Sequence, residues 1–280
     1  MITTVIGLGL IGGSAAIDLR KRDFTNKIIG VDNDKINAQT ALNIGFVDEI
    51  SDLEQSVKKA DLIIIAIPVD AAIKILPKVL SIIDKQIVVD MCSTKSTLLD
   101  AVKNHKNRGR YVASHPMAGT EFSGPWAAIS GMFDSKAAIL CDTEDSDKDA
   151  IKLIKKMYDI LNMRVINMNS TNHDIHTAYV SHISHISSFA LALTVLDKEK
   201  NEKHIFDLAS GGFDSTVRLA KSSADMWIPI FNQNKENITT VLDNYINKLQ
   251  KFRDSISNSK TDNVRSMIQE ANKIKRVLYK

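Results

Sequence analysis

Residues Thr4-Val5-Ile6-Gly7-Leu8-Gly9-Leu10-Ile11-Gly12-Gly13-Ser14 run an apolar strand straight into glycines spaced G-x-G-x-x-G. A second apolar stretch, Lys27-Ile28-Ile29-Gly30-Val31, ends in Asp32, 20 residues after Gly12. Nothing else restricts the chain as tightly, because each glycine answers a different steric demand. Gly7 permits a tight turn, Gly9 lets the backbone approach a pyrophosphate, and Gly12 lets the following helix pack close to the strand. The helix N-terminus turns unpaired N–H groups and a positive dipole end towards the phosphates. Asp32 accepts from both ribose hydroxyls, and its charge repels a 2′-phosphate. The expectation is a dinucleotide-binding fold that takes NAD rather than NADP, with Gly7, Gly9, Leu10, Ile11, Gly12, Asp32 and Pro68 around the cofactor.

Strand and helix alternate through the first half. Apolar runs at 4–6, 27–32, 62–68, 86–91, 111–114, 137–141 and 164–166 enclose helical patterns at 11–20, 34–44, 71–82, 96–105 and 148–161. Continuous apolar strands such as Leu62-Ile63-Ile64-Ile65-Ala66-Ile67 suit a sheet covered on both faces. The alternation predicts an α/β fold, a Rossmann-type doubly wound parallel sheet over residues 1–168. After residue 168 strand-like runs vanish. Residues 177–196 read as one long helix, apolar nearly all round from Ser188 to Leu196, which suits a bundle centre or a subunit interface. Ile238, Leu242, Tyr245, Leu249, Phe252 and Ile256, then Val264, Ile268, Ala271 and Ile274, mark two amphipathic helices around a polar turn at 258–262. Residues 169–280 are therefore expected to form an all-helical substrate and dimerisation domain that closes over the crevice beyond the strands' carboxyl ends.

Composition narrows the partners. The 280 residues carry a net charge of +3, and aromatics make up only 6%. The excess lies in Lys-rich helices near the C-terminus, without the dense basic stripe and interleaved aromatics of a nucleic-acid surface. No uninterrupted apolar run spans a bilayer, and the apolar N-terminus lacks a signal peptide's basic region. Cys92 and Cys141 are too few for a disulfide framework and read as reduced, buried thiols. The expectation is a cytoplasmic protein with no nucleic-acid or membrane partner.

Four segments carry candidate chemistry. Asp90-Met91-Cys92-Ser93-Thr94-Lys95-Ser96 follows an apolar strand, which puts Ser93 at the crevice; Ser93 or Thr94 also suits a helix cap. His115, in Ser114-His115-Pro116-Met117-Ala118-Gly119-Thr120-Glu121, likewise follows a strand. A neutral imidazole there can take a hydroxyl proton as hydride leaves the same carbon; a structural histidine is the other reading. His173, His176, His182 and His185 sit on helical sequence without the i, i+4 pair and acid of a zinc helix, so no metal is expected. Ser181, His182 and His185 instead line a polar pocket or satisfy buried backbone. Arg218 follows Gly211-Gly212 and offers a fork for a carboxylate, or a surface ion pair with Glu121 or Asp214.

Together these segments resemble the prephenate dehydrogenase family over nearly the whole chain. The resemblance runs through the glycine loop, Asp90 to Lys95, the His-Pro-Met-Ala-Gly-Thr-Glu segment, His173-Asp174, Ser181-His182 with His185, Gly212-Phe213 with Arg218, and Met226-Trp227. It implies NAD-dependent oxidative decarboxylation of prephenate to 4-hydroxyphenylpyruvate and CO2, in a homodimer formed through the helical domain. It also implies that His115 accepts the ring hydroxyl's proton and that Ser93 bonds the same hydroxyl and orients the imidazole. Arg218 would grip a substrate carboxylate, with Ser181, His182, His185, Gly119 and Thr120 completing the pocket. Ile183-Ser184 replaces the family's usual Leu-Pro between the paired histidines, removing a proline kink. The Arg of the Gly-Phe-Asp-Ser-Thr-Val-Arg stretch follows its Asp, where the family's usual form has it before. No mutase segment or added regulatory domain is expected, so any feedback by tyrosine would act at the active site or dimer interface.

Three other readings compete. Arogenate differs from prephenate by an amine in place of the keto group and would call for an acid near that amine. A β-hydroxyacid dehydrogenase would carry K-x-x-x-N on its central helix, and residues 177–196 contain neither residue. A non-catalytic NAD sensor would keep the glycine loop but need not keep His115, Ser93 and Arg218 together.

Overall fold

The computed structural model describes residues 1–200, 202 and 204–278, the last without its side chain. It divides into two compact units, Met1–Lys235 and Glu236–Lys280.

The first unit alternates β1 (Ile2–Ile6), α1 (Leu10–Lys21), β2 (Lys27–Val31), α2 (Lys35–Ile44), β3 (Glu49–Ile50), α3 (Leu53–Lys59), β4 (Leu62–Ile65), α4 (Val69–Ile82), β5 (Ile87–Asp90) and α5 (Ser96–Asp100). It continues through β6 (Tyr111–Pro116), β7 (Ala137–Cys141), α6 (Lys148–Ile160) and β8 (Arg164–Met168). One eight-stranded sheet results, ordered β3-β2-β1-β4-β5-β6-β7-β8. Neighbouring β1 and β4 mark the point where strand order reverses, and ligands of such sheets bind beyond the carboxyl ends there.

Successive side chains of one strand enter opposite cores, as period-2 geometry demands. Val5, Leu62 and Ile64 join one cluster, whereas Ile6, Ile63 and Ile65 join the other. Burial on both faces explains why these strands read as unbroken apolar runs. Both cysteines are buried free thiols.

The sheet departs from the expected all-parallel form at β7. Between β6 and β7 the chain makes only a 3-10 turn, Pro125–Ala127, with no crossover helix. It therefore returns antiparallel, pairing His115 with Ile139. α6 then supplies a crossover, so β8 runs parallel to β7. The short β3 and α3 carry too little apolar pattern to be read from sequence.

Beyond the sheet the first unit is helical: α7 (Ser170–Thr177), a π-helical turn (Ala178–His182), α8 (Ile183–Glu199), α9 (Gly211–Val217) and α10 (Ala224–Gln233). From Ser170 to Glu199 the helical backbone is continuous for 30 residues, with a mean hydropathy of 1.3 in its most apolar 18-residue window. By length and composition it is long enough to cross a membrane, contrary to the sequence expectation. That expectation weighed uninterrupted apolar residues, and this helix reaches the length only by including histidines and serines. Tyr179, Val180, Leu193 and Leu196 are exposed on it, so the Ser188–Leu196 stretch does not occupy a bundle centre of this chain.

The second unit is a helical hairpin. The rest of α11 (Lys235–Ser257) turns through left-handed Ser259 (φ 53°) into α12 (Thr261–Ala271), where the apolar periodicity and polar turn place it.

Candidate active site

The glycine loop has the expected shape. Gly7 is left-handed at φ +95°, where a side chain would be strained, and a Cβ on it would stand 2.4 Å from the Ala66 carbonyl oxygen. A Cβ on Gly12 would stand 2.0 Å from the Gly7 carbonyl oxygen. At Gly9 nothing lies within 4 Å of that position, so the loop presents bare backbone to open space. Gly9 is also the N-cap of α1, and no side chain caps the helix. Leu10 and Ile11 open its first turn. Asp32 closes the loop from β2: its Oδ2 accepts from Leu8 N at 2.8 Å and its Oδ1 from Asp34 N at 2.9 Å. Pro68 is the N-cap of α4, beyond β4.

Beside this loop, the carboxyl ends of β5 and β6 rest on a buried polar network. Asp90 Oδ1 accepts from the Tyr111 hydroxyl (2.7 Å) and Ser114 N (3.0 Å), while Oδ2 accepts from Cys92 N (2.9 Å) and the Lys95 ammonium. Lys95 Nζ also donates to the Ser114 carbonyl at 2.7 Å. Lys95 and Asp90 are fully buried, a pairing supported by three further donors to the Asp90 carboxylate and by the Ser114 carbonyl on Lys95. Burial works against the Lys95 charge, but Asp90 outweighs it and holds the ammonium above its ordinary pKa. The network locks β5 to β6 directly beneath His115.

His115 is half-buried near the end of β6. Its Nδ1 meets His173 Nε2 at 2.8 Å, and His173 Nδ1 meets Asp174 Oδ1 at 2.8 Å. No hydrogen bond joins His115 to Ser93, which lies half-buried between β5 and α5. Nor does Ser93 or Thr94 cap α5. Asp174, from α7, does so instead, accepting from Lys95 N at 2.9 Å and Ser96 N at 2.8 Å. Burial first, then the charges His173, Lys95 and His182 would place on it, hold His115 well below the ordinary histidine pKa. It is neutral at neutral pH.

His182 and His185 gather against Trp227 of α10. The π-helical turn gives the helix an irregularity without the proline. Asn234, just after α10, donates to the Asp174 carbonyl at 2.7 Å and approaches His182 Nδ1 at 3.2 Å. Burial lowers His182 to a pKa of about 4. His185 donates from Nδ1 to the Ser181 carbonyl (3.1 Å) and stacks on Trp227, with ring centroids 3.7 Å apart. His176 is exposed. No group of three or more metal-ligating side chains converges among the described residues.

Arg218 takes the ion pair with Glu121, Nη1 to Oε2 at 2.9 Å, and is half exposed. Gly119 and Thr120 occupy the same loop after β6, where the Thr120 hydroxyl accepts from Phe122 N at 3.3 Å. The structure thus links the His115 loop to Arg218 through Glu121, and His115 to His182 through the His173-Asp174 pair and Asn234.

Comparison with known proteins identifies the family. Residues 15–167 match the family model described as the prephenate dehydrogenase nucleotide-binding domain, and residues 169–270 its dimerization domain. The chain belongs to the prephenate dehydrogenase family. It is 32% identical over 266 residues to the prephenate dehydrogenase of Bacillus subtilis, covering 92% of this chain and 71% of that protein. Prephenate dehydrogenase from Aquifex aeolicus, solved with hydroxyphenyl propionate and NAD+, superposes with a TM-score of 0.90 at 30% identity, covering 100% of this chain and 98% of that one. Synechocystis arogenate dehydrogenase superposes with a TM-score of 0.78 at 26% identity over 100% of both chains. The sequence resemblance therefore identified the family correctly. The supporting residues escaped it: His173, the partner of His115, had no assigned role, and Asn234, the partner of Asp174 and His182, stands in no recognisable motif. The adjacency of His173 and Asp174 was the only local hint.

Proposed function

We propose that this chain oxidises prephenate with NAD to 4-hydroxyphenylpyruvate and CO2, in a crevice beyond the carboxyl ends of β1, β4, β5 and β6. His115 carries the reading: a neutral, half-buried imidazole at the end of β6, with one ring nitrogen engaged by His173 and the other outside that bond. The loop residues fit a dinucleotide, because Gly9 leaves room for a pyrophosphate, α1 has uncapped N–H groups, and Asp32 is already aligned by two backbone donors. When bound, NAD supplies the acceptor for hydride from the ring carbinol carbon. His115 takes the hydroxyl proton at Nε2, and Ser93 hydrogen-bonds the same oxygen. Arg218 exchanges Glu121 for a substrate carboxylate, a swap that the exposed position of the pair permits. Ser181, His182, His185, Gly119 and Thr120 complete the pocket. Loss of CO2 aromatises the ring, so the chain need only orient the substrate, hold the proton and match the charge.

In this reading residues 1–168 bind NAD, and residues 169–280 bind substrate and dimerise. The exposed apolar face of the Ser170–Glu199 helix meets a second copy rather than lipid. The same helix commits His173, Asp174 and His182 to hydrogen bonds inside the protein, groups that a lipid-facing span carries only at high cost. The cofactor and substrate are intracellular metabolites, which supports a cytoplasmic location.

A second reading, oxidation of arogenate, gains support from Glu121. Its carboxylate lies on the guanidinium that would hold the side-chain carboxylate, where an ammonium group would find a partner. NADH absorbance on adding prephenate, and separately arogenate, tests both. His115→Asn is expected to keep NAD binding and cut turnover by about 10²–10⁴-fold; near-native turnover rejects the role.

A further inference from the structure

We propose that His173 and Asp174 are positioning residues that hold His115 in its Nδ1–H tautomer, leaving the Nε2 lone pair for the substrate hydroxyl. The inference rests on reading His115 as the base. Its logic begins at Asp174, an acceptor on both oxygens. Oδ2 takes Ser96 N at 2.8 Å, while Oδ1 takes Lys95 N at 2.9 Å and faces His173 Nδ1 at 2.8 Å. A carboxylate has no proton to give, so His173 must carry its proton on Nδ1. On a singly protonated His173, Nε2 then offers only a lone pair. That nitrogen lies 2.8 Å from His115 Nδ1, which must therefore be the donor. The proton inventory of the chain leaves His115 Nε2 bare.

The surroundings favour this order. His173 and Asp174 are almost fully buried, so water cannot replace either partner. Burial pushes the Asp174 carboxyl up, but hydrogen bonds from His173 and Ser96 outweigh it and keep the group ionised. The charged or titratable groups acting on His115 are His173 from α7, Lys95 from the start of α5, and His182 from the π-helical turn. Of these, only His173 is hydrogen-bonded to it. When His115 takes a proton on Nε2, the new imidazolium faces an acceptor nitrogen backed by a carboxylate. A serine at Ser93 could orient the ring, but it could not provide that ionic backing.

The test uses the full-length protein and two variants that alter the same site differently. In His173→Gln, the side-chain oxygen can reach the former Nε2 position and accept from His115 Nδ1–H. In His173→Asn, the amide can still bond Asp174 but stops short of His115. The glutamine variant should keep turnover within about tenfold of native, and the asparagine variant should lose about 10²-fold or more in kcat. KM for prephenate and for NAD should stay within threefold in both. Nitrogen-15 spectra of histidine-labelled native protein should show His115 protonated on Nδ1 at neutral pH, shifting towards Nε2–H in His173→Asn. Equal turnover in the two variants, or a native His115 protonated on Nε2, overturns the proposal. His115→Asn separates the two levels: if it abolishes turnover while both His173 variants run alike, His115 is the base and the dyad is not its support. If it leaves turnover intact, the base assignment itself falls.

Discussion

Two alanine substitutions in the glycine loop separate folding from cofactor binding. At Gly12 an added Cβ would stand 2.0 Å from the Gly7 carbonyl oxygen, 3.0 Å from Val5 Cγ1 and 3.2 Å from Ala66 Cβ. Real Cβ contacts essentially never fall below 3.0 Å, so α1 must part from the loop by about 1 Å. Overpacking of that kind costs about 1–3 kcal/mol, against which alanine's helix propensity returns up to ~1 kcal/mol. With that term returned in full, the net loss is up to about 2 kcal/mol, a fall in Tm of up to about 8 °C for a domain of this size. At Gly9 the backbone is at φ −80°, which alanine adopts freely, and no atom lies within 4 Å of the new methyl. Gly9→Ala should therefore leave Tm within about 1 °C of native, since no mechanism for a larger loss is present. Its methyl would nevertheless occupy the bare face proposed for the pyrophosphate, and the expected outcome is NAD binding weakened by about tenfold or more, or about 1.4 kcal/mol. Thermal unfolding without NAD and calorimetric titration with NAD read the two effects separately. Native NAD affinity in Gly9→Ala, or a Tm loss there equal to that of Gly12→Ala, would refute the reasoning.

Other outcomes follow from the charged and titratable groups. Arg218→Ala should raise KM for prephenate while leaving NAD affinity unchanged; an unaltered KM would show that the arginine serves only its ion pair with Glu121. Lys95→Met leaves Asp90 charged and buried without its cation, costing about 3–5 kcal/mol, which denaturant unfolding would detect. Neutral His115 requires that kcat/KM lose activity on the acid side only below the ordinary histidine pKa of 6.5; a midpoint at or above that value contradicts it. His182 adds a stability effect of defined sign. Between pH 6.5 and about 4 the unfolded chain binds the proton and the folded chain does not. Stability should thus fall on acidification across that window, by at most about 3 kcal/mol from this group, and His182→Asn should flatten the slope.

Long-range contacts explain which parts of the site could be read in advance. The glycine loop and Asp32 were legible because their chemistry is local: a turn, a helix start and an acid at the end of the next strand. His115 was legible for the same reason, as a polar residue closing an apolar strand. The supports of His115 were hidden because they cross the chain. Asp174 caps α5 from 78 residues away, a role that local reading gave to Ser93 or Thr94. Asn234 ties His182 to the Asp174 carbonyl across 60 residues. The antiparallel return of β7 was missed because its cause is the lack of a crossover helix, not anything within the strand.

Backbone sterics and strand periodicity, written residue by residue, determined the dinucleotide fold, the two-faced sheet and the family. Only the tertiary structure decided that His115 leans on His173 and Asp174, that Glu121 occupies Arg218, and that a π-helical turn sets the histidines of the long helix. The division has a physical basis. Local conformational preferences act between near neighbours in sequence, whereas a buried polar atom takes whichever partner the packed elements bring within about 3 Å.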